Sequence, residues 1–461
     1  MKLALTGSPF LLGAYGAAAL ATAIGTFALL LSFPSLPPEV PLLLTAGEGI
    51  TPKIFLFAIP LLSISFLVGD AWVSEILLRR REPSAALFPA FLSLFTSVIL
   101  SFSLVRILRI FPIPELPFEE TISPLLLPLG TALGLGFGLS ALFAWIGHRL
   151  RLFDQPHGPY RQVRPIPRLG ALPLFLTFSA GALFFIPFDS RLAGLLLGGA
   201  VISLVQTIDD LRPLPPWVQG GGHLLAGLIV IGGGVRVDFI NNPLSPWIGS
   251  PHLFFEPWVG ALFTLIWIFV LVNVVDFLDG LDGLAAGIGV IAGATIVAIS
   301  FIAGTPLTAV LGIILTGALL GFLPFNFFPA RIYLGGGAFL LGYFLAVLSI
   351  FSGAKTGTAI LVLALPIIDA IFVIYRRLRE GRSPFRGDFT HLHHRLLAVG
   401  LSQPQIVLLE WGIVGSLAGV ALGLTGINKL AAIGLVFIAA LLANRLLLRR
   451  SGSPSPKERK L

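Results

Sequence analysis

Runs of apolar residues recur along the whole chain, each interrupted by a short interval carrying charge, proline or glycine. Each run is about 18 to 25 residues long, enough for a helix to cross about 30 Å of hydrocarbon, where only a helix or a closed barrel satisfies its own backbone. The pattern predicts an all-α polytopic membrane protein with about fourteen transmembrane helices. Their centres fall near Leu20, Ser65, Phe95, Leu133, Phe178, Leu197, Ala226, Trp267, Ala294, Ile314, Phe344, Leu363, Val414 and Leu435. The first three centres form an N-terminal membrane block over residues 1–115. The Pro-rich acidic connector FPIPELPFEETISP, Phe111–Pro124, separates it from a core over residues 120–450. That core holds about eleven of the helices and every polar cluster. SGSPSPKERKL, residues 451–461, reads as a polar disordered tail. The first apolar run is followed by no clear cleavage site, so it is expected to stay as an anchor.

Composition agrees with the pattern and narrows the function. With 56% hydrophobic and 11% charged residues, the chain carries more apolar sequence than a soluble core absorbs. The net charge of +8 points to no nucleic-acid partner. Most of the Lys and Arg fall on one side of the expected topology: at Arg79–Arg81, in the loops Arg149–Arg168 and Arg376–Arg395, and in the tail. That bias marks the side as cytoplasmic and suits anionic headgroups. With no cysteine, disulfides, thiolate nucleophiles and Cys-ligated zinc are excluded.

The polar residues of the core gather on the same side, in five loops: Arg149–Arg168, Asp209–Pro216, Asp276–Asp282, Pro324–Gly337 and Arg376–Gly400. One-sided clustering is what an active site at the membrane surface requires. In NVVDFLDGLDGLAAG, Asn273–Gly287, the aspartates Asp276, Asp279 and Asp282 recur every third position. A continuous helix would put them within about 120° of one face, where they repel one another unless a cation such as Mg2+ or Mn2+ intervenes. The competing reading is a turn at Gly280 and Gly283, with the aspartates capping a helix end. QTIDDLRPLPP brings a second acidic pair, Asp209 and Asp210, whose side chains diverge, so one suits a metal and the other a base; ordinary loop chemistry is the alternative. GDFTHLHHRLLAVGLS contributes His391, His393 and His394 beside Arg395, donors suited to phosphate oxygens, with zinc as the rival.

Taken in order, DD, NxxDxxDGLDGLAAG and DxxHLHHRL resemble the polyprenyl-phosphate N-acetylhexosamine-1-phosphate transferases, a bacterial family that starts envelope glycan synthesis. FDQP at Phe153, RPIPRLGA from Arg164, LPFNFFPARIYLG from Leu323 and LPIIDAIFVIYRRLREGRSPF from Leu365 support the resemblance, which covers about residues 120–450. It implies transfer of a sugar-1-phosphate from a UDP-sugar to a membrane polyprenyl phosphate, with Mg2+, at the cytoplasmic face of the plasma membrane. The implied partners are the UDP-sugar, polyprenyl phosphate and the lipid bilayer, with a homodimer as the candidate assembly. Asp209 and Asp210 would then serve the lipid phosphate, and Asp276, Asp279 and Asp282 the metal. Asn273, Gly280, Leu281, Asn326 and Tyr333 would lie near the nucleotide, the histidines on its diphosphate, and Arg164, Arg168 and Arg212 near the lipid phosphate. The HLHH spacing looks more like the GlcNAc branch than the pentapeptide branch.

This chain departs from the family pattern inside the site. LGGGAF, Leu334–Phe339, stands where the family reads MGDxGS; Gln219 stands for a lysine downstream of DD; and Asp276 stands for the second Asn of NxxN. Asp276 is expected to compensate for the missing aspartate. Two alternatives remain open: a degenerate homologue that binds lipid phosphate or nucleotide without turnover, and a transporter, which would want its charges nearer the bilayer midplane.

Overall fold

The computed structural model describes residues 39–41, 50–52, 118–154, 165–242, 249–250, 252–352, 356–381, 391–398, 400–424 and 426–450. The expected helices centred near Leu20, Ser65 and Phe95, the tail 451–461 and Arg164 lie outside them. The chain divides into two compact units, Glu119–Gly387 and a second joining Met1–Phe118 to Asp388–Leu461.

Helices dominate the first unit: α1 (Phe118–Arg149), α2 (Ala171–Phe185), α3 (Ser190–Leu211), α4 (Pro216–Gly232), α5 (Pro257–Asp276), α6 (Leu284–Ile302), α7 (Pro306–Asn326), α8 (Gly337–Phe351), α9 (Thr356–Val362) and α10 (Ala364–Arg379). Two short antiparallel pairs accompany them, Phe153–Asp154 with Ile166–Pro167 and Phe239–Asn241 with His252–Phe254. The second unit holds α11 (Leu392–Ala398), α12 (Gln403–Gly423) and α13 (Gly426–Arg450), with an antiparallel pair of Glu39–Pro41 and Ile50–Pro52.

Local chemistry sets the helix starts. Pro216, Pro257 and Pro306 open α4, α5 and α7, where a missing N–H costs nothing. Asp189 caps α3 by accepting from the Leu192 N–H at 2.7 Å. Every one of the expected core segments meets a helix, and six of the described helices are long and apolar enough to cross a membrane, or seven if α9 and α10 count as one. The segment centred near Leu363 is therefore not the straight span expected. It breaks at Leu363, with α9 and α10 inclined by 74°.

α8 is the hub. From Gly337 to Ile350 every residue is buried, with α5, α3, α6, α2 and α7 against it. Its 15 residues rise about 22 Å, short of the full hydrocarbon thickness. The residues that open it, Gly335 and Gly336, meet the acidic residues Asp279 and Asp210.

Candidate functional site

The last turn of α3 carries Asp209 and Asp210. Neighbouring side chains on a helix point about 100° apart, and these two take separate partners. Asp209 Oδ1 accepts from the Leu214 N–H at 2.7 Å and from Gln219 Nε2 at 2.9 Å. Asp210 Oδ2 accepts from the Gly336 N–H at 2.9 Å, while its Oδ1 stands 2.8 Å from Arg168 Nε. The Asp210 side chain is 1% exposed and that of Arg168 34%, so the arginine is the member of the pair that meets solvent.

Asp279 is held by the next amide along: its Oδ2 accepts from the Gly335 N–H at 2.9 Å. Two consecutive backbone N–H groups just before α8 thus grip two carboxylates, one from the last turn of α3 and one from the turn after α5, at the positive end of the helix dipole. Glycine is required at the first of them. Gly335 has φ +55, and a Cβ there would stand 2.5 Å from Arg168 Cγ. Arg168 is brought to this place by its backbone: the Arg168 strand bridges Tyr333 in parallel, with the Tyr333 N–H donating to Pro167 O at 2.9 Å and the Gly170 N–H to Tyr333 O at 3.1 Å.

Burial pushes the Asp279 carboxyl up to about 8; Arg168 pulls it down, Asp276 pushes it up, the Gly335 N–H lowers it and Asp210 raises it. Asp276 and Asp210 therefore both disfavour the charged form of Asp279, against the guanidinium of Arg168.

The three aspartates of the DFLDGLDG stretch, Asp276, Asp279 and Asp282, do not share a helical face. α5 ends at Asp276, the chain turns through residues 277–283, and α6 starts after Gly283 at φ +82. Gly283, in the left-handed region, allows that turn. Asp282 is buried and diverted: its Oδ2 accepts from the Ala330 N–H at 3.1 Å, tying this turn to the loop after α7. The same loop is held by Asn326, whose Nδ2 donates to Ile332 O at 3.1 Å. The Oδ1 of Asn326 is buried with no hydrogen-bond partner among the described residues. Asn273 Nδ2 donates to Phe269 O at 2.7 Å within α5, Leu281 is buried in the turn beside Gly280, and Arg212 is exposed just past α3.

Among the described residues no three His, Asp or Glu side chains converge closely enough to chelate a metal by themselves. Mg2+ needs no such cage, since it takes one or two carboxylates and completes its shell with phosphate and water. A half-buried set of hard oxygen donors at Asp210, Asp276 and Asp279, in which Asp276 and Asp210 both disfavour charge on Asp279, fits such an ion.

In the second unit His391, His393 and Arg395 are buried around α11. The rings of His391 and His393 lie 5.6 Å apart and 3° from parallel, and those of His393 and His394 are 4.4 Å apart. Burial holds His393 well below the usual imidazole range, reinforced by His394, His391 and Arg395, so its ring is neutral near pH 7 and offers a hydrogen bond rather than a charge. Its Nε2 has no hydrogen-bond partner among the described residues.

Sequence reasoning missed the two glycine amides, which have no side chain to signal them. It read Gln219 only as a lost charge, whereas the side chain binds Asp209. It also passed over a buried pair between α3 and α4, Gln206 and His223, whose Nε2 atoms stand 2.9 Å apart. The available signal was the i, i+4 spacing of Gln206 to Asp210 and of Gln219 to His223.

Fold and site together define a multi-pass helical membrane protein with an acidic site at helix ends. Residues 192–353 match the model of glycosyl transferase family 4, a stretch that contains Asp209, Asp210, the DGLDG turn, Asn326 and the glycine loop. The chain is 31% identical over 287 residues to the probable undecaprenyl-phosphate N-acetylglucosaminyl 1-phosphate transferase of Bacillus subtilis (strain 168), covering 60% of this chain and 79% of that one. It is 34% identical over 309 residues to the decaprenyl-phosphate N-acetylglucosaminephosphotransferase of Mycobacterium tuberculosis (strain ATCC 25618 / H37Rv), covering 59% and 76%. A more distant relative, at 25% over 278 residues, is the undecaprenyl-phosphate alpha-N-acetylglucosaminyl 1-phosphate transferase of Escherichia coli (strain K12), covering 57% and 74%. The protein belongs to glycosyl transferase family 4, in its polyprenyl-phosphate N-acetylhexosamine-1-phosphate transferase group.

Proposed function

We propose that the protein transfers N-acetylhexosamine-1-phosphate from a UDP-sugar to a polyprenyl phosphate, at the cytoplasmic face of the plasma membrane, as the first step of an envelope glycan. An oxygen of the lipid phosphate bonds to the β-phosphorus of the donor, the bond from that phosphorus to the bridging oxygen breaks, and UMP leaves. The observation that carries this reading is the gripping of Asp210 and Asp279 by the adjacent amides of Gly336 and Gly335, beside Arg168. It fixes carboxylates and a cation together at the end of apolar helices, where a lipid phosphate and a water-soluble nucleotide can meet.

Each side chain has a task in that reaction. Arg168 pairs with the incoming phosphate oxygens, and one of Asp209 and Asp210 accepts the proton from the lipid phosphate. Asp279, with Asp276 and Asp210 nearby, would hold Mg2+ or Mn2+, which supplies charge neutralisation for the diphosphate when bound. Asn326 and Tyr333 serve the nucleotide, and His391, His393 and His394 donate to phosphate oxygens. The N-terminal block, residues 1–115, adds about three helices to a core of about eleven, for about fourteen in all.

The departures from the family pattern fit a working site. Gln219 still reaches Asp209, and the loop that lacks the family's aspartate supplies two amide donors. Membranes containing the protein, given radiolabelled UDP-GlcNAc, polyprenyl phosphate and Mg2+, should yield solvent-extractable label that a chelator abolishes. Label left wholly in the aqueous phase, with every UDP-N-acetylhexosamine offered, would support the reading of a binding protein without turnover.

Two variants probe the parts. Asp276→Asn should raise the Mg2+ concentration needed for half-maximal rate and cut turnover about tenfold or more, because an amide carries no charge to the ion. A helix-end role predicts little change, since an amide caps nearly as well. His393→Ala should lower turnover by about tenfold through loss of a donor to the diphosphate. Inhibition by a zinc-selective chelator, with no response to Mg2+ removal, would reassign the histidines to zinc.

A further inference from the structure

The interface of α3 and α4 carries two polar rungs, one helical turn apart. Asp209 and Gln219 form the outer rung, with 2.9 Å between Gln219 Nε2 and Asp209 Oδ1. Gln206 and His223 form the inner one, with their Nε2 atoms also 2.9 Å apart. The inner rung is enclosed, Gln206 being 0% and His223 2% exposed. Gln206 Oε1 and His223 Nδ1 have no hydrogen-bond partner among the described residues. Turning the amide over or moving the imidazole proton to its other nitrogen exchanges which atoms pair but leaves polar atoms over. Such a rung is a poor stabiliser, because each buried polar atom left without a partner costs free energy that an apolar side chain of similar shape would not. Its placement offers another reason for it.

Both members lean on the start of α8. A Cβ on Gly336 would stand 2.5 Å from Gln206 Cβ, so the backbone of Gly336 lies directly on Gln206. The ring of His223 lies 5.1 Å from that of Phe339, in the first turn of α8, and 6.2 Å from that of Phe269 in α5. Gly336 is the residue whose N–H holds Asp210, and Asp210 lies one turn beyond Gln206 on α3. We propose that Gln206 and His223 form a positioning pair: their bond fixes the register of α3 against α4 and seats Gly336, so that its amide meets the Asp210 carboxylate. The inference rests on the transferase reading of Asp210. The pair touches no substrate and acts through that one amide.

The double variant Gln206→Leu/His223→Phe separates positioning from support of the fold. Removing both polar partners leaves no orphan, so the melting temperature in detergent should hold or rise. Turnover should fall about tenfold or more, as happens when catalytic geometry is displaced by about 1 Å, while KM for UDP-sugar stays within about twofold of wild type. The single variant His223→Gln keeps an amide opposite Gln206 and should retain turnover within about threefold. A melting temperature that falls in step with turnover would mark the pair as structural and overturn the proposal. So would full turnover in the double variant, or an equal loss in His223→Gln. Asp210→Asn, run alongside, separates the two ideas. If it is inactive while the double variant is fully active, the positioning inference alone fails; if wild type itself is inactive, the transferase reading fails and the inference with it.

Discussion

Asp210→Asn should reduce sugar-1-phosphate transfer by about a hundredfold or more while leaving the protein folded. The substitution is nearly isosteric, and the remaining carbonyl oxygen can still accept from the Gly336 N–H, so the backbone cradle persists. Two other things change. The guanidinium of Arg168, 2.8 Å from Asp210 Oδ1, loses its counter-charge, and a carboxylate able to take a proton from the lipid phosphate disappears. Loss of a positioned base costs about 10² to 10⁴ in rate, which sets the scale. Arg168→Lys offers a useful companion. Lysine keeps the charge but not the planar fork, and its effect should fall mainly on KM for the lipid phosphate. Retention of more than about half of the wild-type rate in Asp210→Asn would remove Asp210 from the chemistry.

Gly335→Ala is expected to lower turnover by about tenfold or more, through geometry alone. The added methyl meets two obstacles. The residue sits at φ +55, where an L side chain costs about 1–2 kcal/mol, and its Cβ would stand 2.5 Å from Arg168 Cγ and 3.0 Å from Asp210 Oδ2. Relief requires the loop or Arg168 to move, which pulls the amide away from Asp279. Gly304→Ala is the matched control. Gly304 has φ +65, and a Cβ there meets nothing within 4 Å, so it carries the backbone penalty without the collision. Gly304→Ala should lose a little stability and keep its rate. Equal loss of activity in both variants would show that the effect is on the fold and not on the grip around Asp279.

The core helices were legible because a membrane helix writes itself as a long apolar run, and each such run between residues 120 and 450 meets a helix. The break at Leu363 was harder to see, since the residues on either side are apolar. Its sign in the sequence is Pro366, which has no N–H to give to residue 362 and is tolerated in the first turn of a new helix, α10. The aspartates show the opposite failure. A spacing of three suggests one helical face, but Gly283 at φ +82 lets the chain turn, and the partners that decide where Asp279 and Asp282 go come from residues about fifty positions away. The LGGGAF loop reads in sequence as a carboxylate lost. In space it presents two backbone amides, each aimed at an acidic residue, which no pattern of side chains records.

The decisive measurement uses purified protein in detergent with polyprenyl phosphate, Mg2+ and UDP-GlcNAc labelled separately in the sugar and in the β-phosphate. A sugar-1-phosphate transferase delivers both labels to the lipid in equal amounts and leaves one UMP for each lipid product, only when polyprenyl phosphate is present. Sugar label in the lipid without the β-phosphate would mean that a different bond is broken. No label in the lipid, with UDP-GlcNAc or any other UDP-N-acetylhexosamine, would contradict catalysis by this site.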